Sequence, residues 1–96
     1  MEFLKQTINL MQSENYKERF LAEYWQTKIR YEKLKHFNNQ IEAAMILGAD
    51  SMMPVEEPEH DCPLHLLQEQ QAAMGKYLKM LELRAVIEKI DLNEVL

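Results

Sequence analysis

Ninety-six residues, 47% hydrophobic and 28% charged, describe one globular domain of ordinary composition and exclude a disordered chain. A formal charge of −5 excludes general binding of DNA or RNA polymers, because that affinity rests on summed neutralisation of phosphates by a net basic surface. Two glycines and three prolines are too few for the turns of a sheet-rich fold, so the expected class is all-α.

The chain starts MEFLKQTINLMQ, which lacks the basic-then-apolar layout of a secretory signal. No run of about eighteen apolar residues is present to span a bilayer, so no membrane association is expected. Cys62 is the single cysteine, which rules out an internal disulfide and fits a reducing compartment; the expected location is cytoplasmic.

Residues 2–12 set Leu4, Ile8 and Met11 on one stripe with Phe3 and Leu10 beside it, the pattern of a short amphipathic helix. It is too short to hold helical form alone in water and must dock. Ser13 or Asn15 can cap the next helix, predicted over residues 15–46. Along it Phe20, Tyr24, Thr27, Tyr31, Leu34, Asn38, Ile41 and Met45 recur in steps of four and three, as a packed seam does. Off the seam stand Lys17, Arg19, Lys28, Arg30, Lys33 and Lys35, six of the eleven basic residues of an acidic chain. Tyr16 and Trp25 are also off the seam, and are expected to cover the first helix or face another subunit.

Gly48 is the expected stop, followed by an acidic connection over residues 47–62. From Phe37 to Glu69 there are seven Asp or Glu and no Lys or Arg. This stretch is read as a solvated tip, or as a segment folding back on the basic cluster of a neighbouring chain. Asp61 or Cys62 is expected to cap a last helix over residues 63–90, with Pro63 in its first turn. Leu67, Gln71, Met74, Leu78, Leu81, Ala85 and Glu88 form one seam of that helix. Leu66, Ala73, Tyr77, Met80 and Ile87 form a second row, widened by Leu83, Val86 and Ile90. One partner helix covers an apolar stripe of about 100°, and this one is broader, which points to a homo-oligomer in which the last helix packs against copies of itself or of the long helix. Residues 91–96 are expected to fray.

The segment His60-Asp61-Cys62-Pro63-Leu64-His65 gathers possible metal ligands, but no second ligand pair with zinc-site spacing exists elsewhere. Cys62 lacks an identifiable base, and no glycine-rich phosphate loop is present. The sequence therefore points to a binding protein with no catalytic, metal or cofactor site. Cations and aromatic rings on a helix face suit a small phosphorylated ligand with stackable bases.

The run Tyr16-Lys17-Glu18-Arg19-Phe20, continued by Glu23, Lys28, Lys33, Leu34 and Phe37, and then LLxxQxxAMxxYxxxLxxR from Leu66 to Arg84, resembles small helical phage proteins. Those proteins include the anti-CBASS sponges, which sequester cyclic oligonucleotide signals of bacterial immunity. The resemblance covers both long helices and implies a helical hairpin assembling into a homo-oligomer, a hexamer, that holds cyclic dinucleotides between protomers. It implies a tyrosine stacking on bases, matched here to Tyr16, and a basic residue on phosphate, for which Lys28, Arg30 and Lys33 are candidates beside Arg19. Arg84 is matched to a separate site for cyclic trinucleotides. Two other functions stay open: a sponge for a cyclic ADP-ribose-type signal, and an oligomeric adaptor or inhibitor that binds a host protein through the acidic connection or the apolar face.

Overall fold

The computed structural model describes residues 3–48 and 56–94, and among these every regular element is a helix. A 3-10 turn, Leu4–Thr7, runs into the short helix α1, Ile8–Met11; two long helices follow, α2 over Tyr16–Leu47 and α3 over Leu64–Glu88. The two long helices lie antiparallel. Asn38 and Glu42 near the far end of α2 bond to Gln71 and Gln68 of α3, whereas Tyr16 and Tyr24 near its start bond to Glu88 and Glu82. The 32 residues of α2 set the long dimension of a molecule measuring 54 × 24 × 22 Å. No helix among the described residues is long and apolar enough to cross a membrane.

Asn15 caps α2: its side-chain oxygen accepts from the Lys17 backbone N–H at 2.9 Å. Ser13 does a different job, donating from its hydroxyl to Glu18 and accepting from the Asn15 N–H. Asn15→Ala removes the acceptor that satisfies one otherwise unpaired amide of the first turn. The expected cost is about 1 kcal/mol, read as a lowered midpoint with unchanged slope in urea unfolding.

The first segment departs from the predicted stripe. Because its first turn is 3-10, with about three residues per turn, the faces shift: Thr7 and Leu10 are buried on α2 while Ile8 and Met11 are exposed. Gln26 of α2 fixes the docking, its Nε2 donating to Thr7 Oγ1 at 3.0 Å. The other side of α2 packs on α3, so α2 buries residues on more than one face near its start. Phe20, Leu21, Ala22, Tyr24, Leu78, Leu81 and Ala85 form one apolar cluster with Leu10 and Ile90.

The predicted seam of α2 holds at Phe20, Tyr24, Asn38 and Ile41, which are buried, and fails at Met45, which is exposed near the helix end. Asn38 is a polar member of the seam; its Nδ2 donates to Leu67 O and to Gln71 Oε1 across the hairpin. Farther along, Gly75 lets α3 lie against Tyr31, since a Cβ there would sit 3.2 Å from Tyr31 Cε1.

The ends of α3 differ from expectation. Pro63 is the N-cap residue instead of Asp61 or Cys62, because its carbonyl already accepts from Leu66 and Leu67 N–H. The helix stops at Glu88 instead of Ile90. Lys89 adopts a left-handed conformation (φ 58°), and Ile90 N–H returns to Ala85 O at 2.9 Å, a Schellman closure that buries Ile90. Residues 91–94 are not frayed: Trp25 Nε1 donates to Leu92 O at 2.9 Å, and Asp91 accepts from Asn93 and Glu94 N–H. Trp25 thus ties α2 to the C-terminal turn, and its ring packs against the cluster that contains Leu10 of the first helix.

Of the last helix's two predicted rows, Leu78, Leu81 and Ala85 of the first are buried. The whole second row, Leu66, Ala73, Tyr77, Met80 and Ile87, is exposed together with Leu83 and Val86. One hairpin therefore leaves a long apolar face of α3 in water.

Candidate functional site

At the open end of the hairpin, the start of α2 meets the end of α3. Tyr16 there donates its hydroxyl to Glu88 Oε1 at 2.8 Å and accepts from Arg84 Nη2 at 2.7 Å. Arg84 Nε donates to Glu88 Oε2 at 3.1 Å, one helical turn away on the same face. The guanidinium lies over the Phe20 ring, 5.1 Å from its centroid, and Tyr16 leans on the same ring at 6.3 Å. Phe20 is 2% exposed, so a buried core residue fixes the platform on which the cation rests. Tyr16, at 46% exposure, keeps much of its ring in solvent.

The charges of this cluster reinforce one another. Glu88 is held below the usual carboxylate range by the Tyr16 hydroxyl and then by Arg84. Tyr16 is pushed up, first by its bond to the Glu88 carboxylate, and Arg84 is likewise held more firmly protonated by Glu88. A carboxylate with a depressed folded value stabilises the fold above its ordinary 4.5 and loses that contribution as pH falls through the depressed value. Tyr16→Phe removes the largest cause. The Glu88 midpoint in a carboxyl carbon NMR titration is then expected to rise toward 4.5, and an unmoved midpoint contradicts the arrangement.

The other sequence candidates lie elsewhere on α2. Arg19 Nη1 donates to Ser13 O at 2.8 Å and braces the corner before α2. Lys28 pairs with Glu32 at 3.2 Å, which raises its pKa, and its ammonium stands 6.0 Å from the Tyr31 ring centroid. Arg30 and Lys33 are exposed. At 1.5 Å per residue, Lys28 and Lys33 lie about 18 and 25 Å along the axis from Tyr16, too far for one small ligand to bridge within a protomer. Arg84, matched in sequence to a separate site, is the cation that stands beside Tyr16.

Tyr31 borders a second feature, an open groove of about 340 Å³ between α2 and α3, lined also by Asn39, Glu42, Gln68, Gln71 and Gly75. Its walls are amide and carboxylate, with no cation among the lining residues. The acidic segment 56–62 packs back on α2 of its own chain. His60 stands edge-on to Phe37, with Nδ1 at 2.6 Å from Cys62 O and Nε2 at 3.1 Å from Glu57. These acceptors, the Cys62 carbonyl first, raise the His60 pKa. The rest of the connection, residues 49–55, lies outside the described residues. Among the described residues no group of three or more His, Cys, Asp or Glu is placed to hold a metal ion.

Sequence reasoning took Glu88 as a seam position and Phe20 as core, and so missed both as parts of this cluster. The Arg84–Glu88 spacing of four residues on a helix was the available signal. The junction itself joins residues 68 apart.

No curated protein and no solved structure matches the chain. A family model does, over residues 14–87, a span that takes in α2, nearly all of α3 and both Tyr16 and Arg84. The chain belongs to the Sequestin family.

Proposed function

We propose that this protein is a phage anti-defence factor that binds a cyclic di- or trinucleotide immune signal and removes it from circulation without altering it. The family name denotes sequestration. The observation that carries the proposal is the junction of Tyr16 and Arg84, 2.7 Å apart at the open end of the hairpin, with the tyrosine ring half in solvent. Arg84 offers the planar fork that suits a phosphate, and Tyr16 offers a face for a base. Glu88 occupies Arg84 Nε in the free protein and gives way to, or shares the guanidinium with, a ligand phosphate.

One protomer supplies one aromatic face and one guanidinium, which match one base and one phosphate. A cyclic dinucleotide has two of each, so two protomers related by symmetry complete its site. The assembly is a homo-oligomer, with the ligand held between subunits. Lys28, Arg30 and Lys33 then act only where a neighbouring chain brings them to the ligand. Sequestration requires affinity and no chemistry, in keeping with a cluster that holds its groups in fixed charge states.

Native mass spectrometry with a panel of cyclic di- and trinucleotides and cyclic ADP-ribose isomers tests this. Uptake of an intact cyclic oligonucleotide by an oligomer is expected. Uptake of a cyclic ADP-ribose isomer alone would replace the ligand class, and an oligomer that ignores the whole panel would favour a protein-binding adaptor.

A further inference from the structure

The geometry points to a specific two-fold pairing: α3 packs antiparallel on α3 of a second copy through its outer row, with the axis passing between Lys76 and Tyr77. This adds a second contact to the assembly proposed above and is not the one that closes its ligand site, since it leaves the two Arg84 residues about 22 Å apart along the paired helices.

The 25 residues of α3 include only three buried ones, Leu78, Leu81 and Ala85. Leu66, Ala73, Met80 and Ile87 recur every seven residues on a different face, all exposed, with Ile87 at 78%. At about 100° per residue these four span roughly 60° of arc, centred about 120° round from the buried side. Seven-residue spacing is the signature of a seam between two helices lying nearly in line. Within the protomer nothing among the described residues covers it.

The row is complementary to itself in one direction. Set antiparallel about a point between Lys76 and Tyr77, Leu66 faces Ile87 of the partner subunit and Ala73 faces Met80 of the partner subunit. A small side chain thus meets a long flexible one, and the overlap uses the whole helix of about 37 Å. On the flank nearer α2, Tyr77 lies beside the partner subunit's Tyr77. On the same flank, Gln70 of the partner subunit comes level with Arg84, a neutral neighbour for an exposed guanidinium. A parallel pair is disfavoured: it sets Glu69, Lys76 and Arg84 each against itself and leaves a gap between two copies of Ala73. The antiparallel pair repeats only the Lys76 clash, at the wet rim. Paired this way, the row with Tyr77 and Leu83 removes on the order of 1,000 Å² from water, the size at which specific interfaces begin.

Sedimentation velocity on the full chain is the test, with Met80→Glu as the disrupting variant. Met80 is 49% exposed, so circular dichroism of the variant should match wild type. Wild type is expected to sediment as a dimer or an even multiple of protomers, and Met80→Glu to halve that mass. In a Cys62→Ser background, Tyr77→Cys should form an intermolecular disulfide on oxidation, and Val86→Cys, more exposed than Tyr77 but on another face of α3, should not. A monomeric wild type, an odd number of copies, an unchanged mass for Met80→Glu, or equal cross-linking at both positions would overturn the pairing. Ligand uptake in the same samples separates the two ideas. A monomer that binds ligand overturns the pairing and the inter-subunit ligand site but not sequestration, and a wild-type dimer halved by Met80→Glu that binds no ligand supports the pairing while overturning the ligand proposal.

Discussion

Arg84→Ala is expected to lower affinity for the sequestered ligand about 100-fold, the scale of one lost charge-assisted, bidentate contact to phosphate. The helices should be unaffected, since Arg84 is an exposed side chain whose intramolecular bonds go to Tyr16 and Glu88. Titration calorimetry measures the effect, at a protein concentration where sedimentation shows the wild-type assembly. Arg84→Lys keeps the charge but loses the planar fork, and should lie between wild type and Arg84→Ala. Lys33→Ala serves as the control. Because Lys33 is remote from Tyr16 along α2, unchanged affinity is expected unless a neighbouring chain delivers it to the site. Equal losses in Arg84→Ala and Lys33→Ala would place the ligand between α2 helices instead of at the hairpin end.

Leu81→Ala should produce the largest loss of stability. Leu81 is 1% exposed and sits in the cluster that joins Phe20, Leu21 and Tyr24 to α3. Removing three buried carbons and leaving a cavity costs about 2–5 kcal/mol, and for a chain of this size that lowers the melting temperature by roughly 10–25 °C. Calorimetry at fixed protein concentration checks it, since an assembling protein gains stability with concentration. The same loss should reach the site, because Phe20 carries the Arg84 guanidinium on its ring. A fall of less than about 1 kcal/mol would mean that α2 and α3 do not share this core.

Much of this architecture is legible along the chain, since helix periodicity and caps are local signals. The seam through Phe20, Tyr24, Asn38 and Ile41, the cap at Asn15 and the seam through Leu78, Leu81 and Ala85 all appear as spacing. What is not legible depends on which turns and crossings the chain selects. A single 3-10 turn at Leu4–Thr7 rotates the first segment so that Thr7 replaces Ile8 against α2. The left-handed Lys89 turns the chain back, so that Leu92 O reaches Trp25, a contact between residues 67 apart. Tyr16 and Arg84 could each be singled out for their chemistry, but their meeting follows from how the antiparallel hairpin aligns its ends. The broad apolar face of α3 is visible as spacing, and the structure adds which row is wet.

Sequestration by this protein means capture without conversion. Its direct measurement is to mix the protein with a cyclic dinucleotide in slight deficit, filter off the free fraction, denature the retained protein and chromatograph what is released. A filtrate depleted of the dinucleotide and quantitative recovery of the unaltered molecule after denaturation are expected. A filtrate that keeps the dinucleotide, or release of a linearised product, would contradict it.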